Sequence, residues 1–454
     1  MKKNIIISML SQTISLVTSF ILGFIVPKYI DEYQYAYWQI FVLYIGYASI
    51  FNFGILDGLM LRYSQYDYEE LDKKKIRSQF QSMLIINVVL CIIACVVSIF
   101  LASKIYQWLI ILLAFGILCR NIFNYNSYMF QMTNRIKFYA TIVIAQRAIY
   151  AMVVILFLLL GINDFRWYCV ADILGDIAGC IICRRKNKGL YLGQRLELTE
   201  NLLELKENIS SGALLLISNL SNGLLTASAK MVTQWRWDEL TFGKVSFAFS
   251  LFSAFFSFVL AISVVLFPTL KRLPIEELPK FYKKIRDNVA PVLFAALFLY
   301  FPGCIILKFW LPQYEMSLVY LGVLLPLVVF ISKVSLLTNN YLKVYRKEKT
   351  MLLINLCSVG VTFLACLFCA YVLNNLDMVL YSVVVICAVH SMVSESVVAR
   401  IVNISLGKDF AMEITLTAIF IISAKCFSLL TGAALYFMTL LVYLLIKYTI
   451  MKCF

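Results

Sequence analysis

Residues 184–208 read RRKNKGLYLGQRLELTENLLELKEN, the longest polar interval in a chain that otherwise runs from one apolar stretch to the next. Six candidate membrane spans precede it and at least six follow. Arg184, Arg185, Lys186 and Lys188 abut the end of an apolar run, and basic residues beside a span resist translocation, so the interval is placed on the cytoplasmic side. Leucines at 196, 198, 202, 203 and 205 stand between Glu197, Glu200, Glu204 and Lys206. That pattern predicts a short helix on the inner membrane surface, its leucines dipped into the headgroup boundary. A plain solvated linker is the alternative, because the apolar face is short.

Working outward, the chain is 62% hydrophobic and 14% charged, against roughly 25% charged residues in a soluble domain. Apolar runs of about 20 residues recur, each long enough to cross a hydrocarbon core about 30 Å thick. The composition is that of an all-α polytopic membrane protein. A net charge of +15 does not indicate nucleic acid, since the basic residues fall at span ends rather than in one patch. Lys2 and Lys3 before an apolar run reaching Val26 imitate a signal peptide, but the run is too long and has no small-residue cleavage site, so it is expected to remain as a first span. Of the 13 cysteines, nearly all lie within apolar runs. The pairs Cys180/Cys183 and Cys366/Cys369 have no second ligand pair nearby, and the chain holds a single histidine. Small apolar packing residues are expected, with no metal and no cofactor.

Fourteen spans are expected, at about 5–26, 37–56, 80–101, 107–130, 139–160, 167–183, 209–232, 245–267, 289–308, 316–337, 351–372, 378–398, 410–424 and 432–446. Lys425 leaves open whether 410–446 is two helices or one. With both termini inside, 29 of the 40 Lys and Arg residues fall inside, 7 outside and 4 within spans, a bias that selects one orientation. The outer connections are short, which disfavours a glycosyltransferase or polymerase with a large extracellular acceptor site. There is no Walker A sequence, so no ATP hydrolysis is expected. The domains read as a six-helix bundle at 1–183, a cytoplasmic linker with an interfacial helix at 184–208, a second six-helix bundle at 209–400, and two additional spans at 401–454.

The two bundles show traces of duplication. Asn4 and Asn208 precede the first and seventh spans. Tyr35-Ala36-Tyr37 and Phe242-Gly243-Lys244 open the second and eighth, and Asn126 and Tyr128 match Asn339 and Tyr341 at a separation of 213. An even number of spans per half makes the repeat parallel.

Polar stripes mark the first helix of each half. Ser8, Ser11, Gln12, Ser15, Thr18 and Ser19 share one side of the first span; Ser218, Asn222, Thr226 and Lys230, with Asn219 beside them, share a face of the seventh. They predict the wall of a water-filled cavity, with hydrogen-bonded helix packing as the alternative. Ionisable groups within spans are functional candidates. Arg120, Arg147, Lys230 and Lys333 stand against Asp172 and Asp176, a cationic balance suited to an anionic substrate. Arg147 and Asp176 lie at matching depths and are expected to pair, leaving Asp172 less committed; Lys230 and Lys333 are near enough to span ends to snorkel. His390 could carry a coupling proton, as could Asp172 or Asp176, although a lone histidine is more often a packing residue.

In its organisation, and in Pro27 with Tyr35 to Trp38, Asn52-Phe53-Gly54 with Gly58 and Arg62, Phe242-Gly243, and Phe267-Pro268, the chain resembles the O-antigen transporters. These are the polysaccharide flippases of the multidrug/oligosaccharidyl-lipid/polysaccharide superfamily. Ala36 departs from a frequent glycine that Gly243 keeps. The resemblance implies two six-helix bundles around a central cavity plus two C-terminal helices. It also implies alternating-access flipping of an undecaprenyl-diphosphate-linked oligosaccharide across a bacterial cytoplasmic membrane, with no catalytic residue. A drug exporter of the same superfamily and a membrane polymerase are the rivals.

Overall fold

In the computed structural model, residues 17–186, 188–272 and 274–452 are described, with side chains for all of these except 186, 188, 222, 257–272, 275 and 448–452. Every regular element among them is a helix. The chain divides into two compact units, Met1–Leu220 and Ser221–Phe454.

In the first unit the helix Glu32–Ile45 starts where Asp31 accepts hydrogen bonds from the amides of Tyr33 and Gln34, an N-cap. The expected single span at 37–56 is interrupted. After the short 3₁₀ turn Ala48–Asn52, Phe53 and Gly54 take φ of 50° and 85°, and the helix Ile55–Tyr63 leaves at 57°. Two successive left-handed residues cannot continue a right-handed helix. The long helices Lys73–Ile99, Lys104–Met132, Ile136–Leu159 and Phe165–Lys186 complete the bundle.

The second unit begins within the helix Leu198–Arg236 and continues through Glu239–Arg272, Leu278–Leu297, Tyr300–Trp310, a broken helix over 315–344, Glu348–Tyr371 and Leu376–Val402. The break lies at Leu325-Pro326, where the two parts bend by 43°, as expected where a proline interrupts helical bonding. Residues 410–446 form two helices, Gly407–Cys426 and Leu429–Lys452.

Neighbour relations recur between the units. In the first, Lys104–Met132 is central, touching Glu32–Ile45, Lys73–Ile99 and Phe165–Lys186, while Ile136–Leu159 packs on Phe165–Lys186. In the second, the broken helix touches Glu239–Arg272, Leu278–Leu297 and Leu376–Val402, while Glu348–Tyr371 packs on Leu376–Val402. This is the recurrence a duplication produces. Arg120 and Lys333 each sit on the central helix of their unit.

Among the described residues seven helices are long and apolar enough to cross a membrane, or up to ten when each bent pair counts as one span. Phe165–Lys186 and Gly407–Cys426 are not among them. Each carries charges that the ionic core of its unit uses, which lowers its apolarity. Outward-facing side chains such as Ile92, Val96 and Ile99 are exposed, an apolar surface of the kind that lipid covers.

Candidate functional site

The interior of the first unit is built around Arg120. Its Nε donates to Asp176 Oδ2 at 2.7 Å, and its Nη2 to Asp172 Oδ1 and Oδ2 at 2.9 and 2.7 Å. The two aspartates are one turn apart on Phe165–Lys186 and so share a face. Gln146 Nε2 donates to the remaining oxygen of Asp176 at 3.2 Å. The expected pairing of Arg147 with Asp176 is thus replaced by Arg120 with both aspartates. Phe165–Lys186 packs against both Lys104–Met132 and Ile136–Leu159, and its acidic face turns toward the former. Arg147 is half-buried and makes no ion pair among the described residues.

Above this centre Asn52, Asn87 and Asn121 close a ring. Asn52 donates to Asn121, Asn121 to Asn87 and Asn87 to Asn52, at 2.9, 2.7 and 3.3 Å. All three are buried, and such a closed ring satisfies each amide oxygen without water.

In the second unit Lys333 does not snorkel. It is fully buried, its Nζ at 2.5 Å from both Glu395 Oε1 and Glu413 Oε2. Arg286 joins the same carboxylates, Nε to Glu395 and Nη2 to Glu413, both at 2.9 Å, and its Nη1 lies 3.0 Å from Asp409. Lys447 extends the network to Asp409 and Asp287 at 2.7 and 2.6 Å. His390 is buried away from it, its Nε2 at 2.9 Å from Asn355 Oδ1.

Arg286, Glu395 and Glu413 join the expected interior set of Arg120, Arg147, Lys230, Lys333, Asp172 and Asp176, and Arg120 itself keeps some exposure. Six carboxylates (Asp57, Asp172, Asp176, Glu204, Glu395 and Glu413) and three cations (Arg286, Lys333 and Lys447) are buried among the described residues. The sequence pattern does not single out Arg286, which precedes the expected span 289–308, nor Glu395 or Glu413. The four-residue spacing of Asp409 and Glu413 was the available signal for the last.

On the polar face of Leu198–Arg236, Ser218, Thr226 and Lys230 are half-buried. Lys230 has neither ion pair nor hydrogen bond among the described residues, and Thr226 bonds the carbonyl of Gly223 at 3.1 Å. Asn219 donates to the buried Asp57 at 3.1 Å. The side chain of Asn222, and Ser8, Ser11, Gln12 and Ser15 of the first stripe, lie outside the described residues.

The polar interval 184–208 is not a free linker. Leu198–Arg236 begins inside it and runs on beyond it. Glu204 is turned inward: it accepts from Arg62 Nη1 at 2.6 Å and from the Tyr63 hydroxyl at 2.7 Å. Arg62 also donates to Asn208 and Glu207 at 2.7 and 2.6 Å. Gln79 Nε2 donates to Asn201 Oδ1 at 2.9 Å, and the Leu196 amide to Ser78 Oγ at 2.7 Å. Leu198, Leu202 and Leu203 remain exposed, as a helix edge at a headgroup boundary would be. Gly54 and Gly58 let this helix approach. A Cβ on Gly54 would lie 2.7 Å from Ala213 N, and one on Gly58 would overlap the Asn208 carbonyl. With Arg62 four residues further, these form one stripe that receives the helix.

The fold has counterparts among solved structures. The lipid II flippase MurJ in an inward closed conformation covers 100% of each chain with a TM-score of 0.61 at 12% identity. A multidrug resistance MATE family transporter of the MOP superfamily in an inward-facing conformation covers 86% of this chain and 94% of its own, with a TM-score of 0.62 at 14% identity. An outward-facing one covers 88% and 96%, with a TM-score of 0.59 at 14% identity. At such identities the likeness is one of fold. No curated protein sequence matches the chain. The family model for polysaccharide biosynthesis proteins matches residues 1–273, more than half of this multi-pass membrane protein, and the chain belongs to that family.

Proposed function

We propose that the protein flips an undecaprenyl-diphosphate-linked oligosaccharide from the inner to the outer leaflet of a bacterial cytoplasmic membrane. It does so by alternating access, with both termini cytoplasmic, and serves other polysaccharide assembly proteins. The observation that carries this reading is membership of the polysaccharide biosynthesis family. Likeness of fold to a lipid II flippase over the whole of both chains supports it. A diphosphate crossing a low-dielectric interior needs cationic partners. Lys230, one turn from Thr226, is the best placed, and Arg147 is the second candidate. Arg120 and Lys333 are already neutralised by carboxylates, so their role in this reading is to hold helices. Asp172, Asp176 and His390, each held by a protein partner, are the positions at which ion coupling is to be sought.

Multidrug export is the second reading, favoured by the excess of buried carboxylates and by the MATE-like fold. Those carboxylates are bound by arginine, lysine or amide donors, which leaves them little capacity for a cationic drug. The test is deletion of the protein followed by location of the lipid-linked glycan. Complete units accumulating on the inner leaflet support flipping. Normal glycan export with new sensitivity to cationic drugs overturns it in favour of the exporter, and exported but unpolymerised units overturn it in favour of a polymerase.

A further inference from the structure

In the first unit one cation is held by two carboxylates from a single helix, Asp172 and Asp176 on Phe165–Lys186. In the second unit Lys333 also occupies the central helix. It lies 213 residues after Arg120, the same separation as Asn126 from Asn339 and Tyr128 from Tyr341. Its partner helix, Leu376–Val402, supplies Glu395. One turn before Glu395, the spacing at which Asp172 precedes Asp176 on Phe165–Lys186, stands Ser391. This serine is fully buried, and its hydroxyl donates at 3.3 Å to the Glu395 oxygen that holds Lys333.

One carboxylate does not suffice at this point. Glu395 is shared with Arg286, so two buried cations face it, and buried charges without compensation are costly. The missing acid comes from another helix. Glu413 on Gly407–Cys426 meets both cations, at 2.5 Å from Lys333 and 2.9 Å from Arg286. The same helix brings the Phe410 ring to 5.9 Å from the lysine nitrogen and 5.8 Å from the guanidinium carbon, and Asp409 to 3.0 Å from Arg286.

We propose that Glu413 is a positioning residue that supplies Lys333 with the counter-charge absent at position 391. The C-terminal helix pair thereby completes the ionic core of the second unit rather than being appended to it. This holds whatever the cargo, because Arg286, Lys333, Glu395 and Glu413 are all buried.

Moving the carboxylate back tests the proposal. Glu413→Gln is expected to lower the melting temperature of the purified full-length protein by roughly 5–10 °C and its membrane abundance several-fold. Adding Ser391→Asp should recover at least half of either loss, which a purely local packing role of Glu413 would not allow. Lys333→Met in the Glu413→Gln background should likewise cost less than the two single changes together. If Glu413→Gln does not accumulate, the readout is abundance of the two double variants, and recovery in either supports the proposal. Wild-type stability of Glu413→Gln overturns it, as do two double variants that recover nothing.

Discussion

Lys230 and Arg120 are both cations in apolar helices, and what separates them is company. Arg120 is held by two carboxylates, while Lys230 has none among the described residues. A guanidinium already neutralised offers little to a phosphate, whereas a half-buried ammonium without a partner gains one. Lys230→Gln is therefore expected to reduce glycan export at least several-fold at normal protein abundance, with Lys230→Arg retaining part of it. Unchanged export in Lys230→Gln would remove this contact from the mechanism. For Asp176 the prediction concerns folding. Asp176→Asn and Arg120→Gln should each cost about 3–5 kcal/mol, the usual penalty for breaking a buried pair, whereas Arg147→Gln should change stability by about 0.5 kcal/mol. Thermal unfolding of the three purified variants distinguishes these outcomes, and equal losses for Arg147 and Arg120 would restore the pairing read from depth. Depth along a helix is legible in sequence, because rise per residue is fixed. Which of two flanking helices an acidic face turns toward is not, since that depends on packing around the helix axis. Depth alone therefore pairs Asp176 with Arg147, whereas its partner is Arg120.

At the scale of elements, the polar interval shows both what pattern reading gains and what it loses. Its helix is legible in the leucine spacing. Its attachment is not, because the partners Arg62, Tyr63, Gln79 and Ser78 are over a hundred residues away in sequence. The Gly54, Gly58 and Arg62 spacing that marks the family resemblance acquires a physical reason here: two positions without a side chain let a helix approach, and a cation then binds its Glu204. Gly58→Ala should be poorly tolerated, because the added methyl meets backbone rather than a flexible side chain. Glu204→Gln keeps the shape but removes the charge that holds Arg62. It should speed amide hydrogen exchange over residues 192–205 while leaving Leu376–Val402 at its wild-type rate. Equal protection in variant and wild type would mean that the glycine contact alone fixes the interval.

For the whole molecule, charge bias along the sequence predicts an orientation, and local contacts within each unit agree with the alternation of ends that it requires. In the first unit the Asp31 amide donates to Asn163 at 2.6 Å and the Phe165 amide to Gln34 at 3.0 Å, so the connections near 31 and 163 share one end. Arg77 reaches the carbonyl of Leu192 at 2.7 Å, joining two connections assigned inside. In the second unit Arg236 donates to Asn374 at 2.8 Å, and Lys425 lies 2.5 Å from Asp377. Three connections assigned outside thus gather at one end. Cysteines placed at Asp238 and Asn375 are accordingly expected to react with an impermeant thiol reagent in intact cells, and one at Lys73 only after permeabilisation. Labelling of Lys73→Cys from outside, with protection at the other two, would invert the protein. It would also place the Arg62 and Glu204 contact on the outer face, where a lipid-linked precursor made in the cytoplasm arrives last.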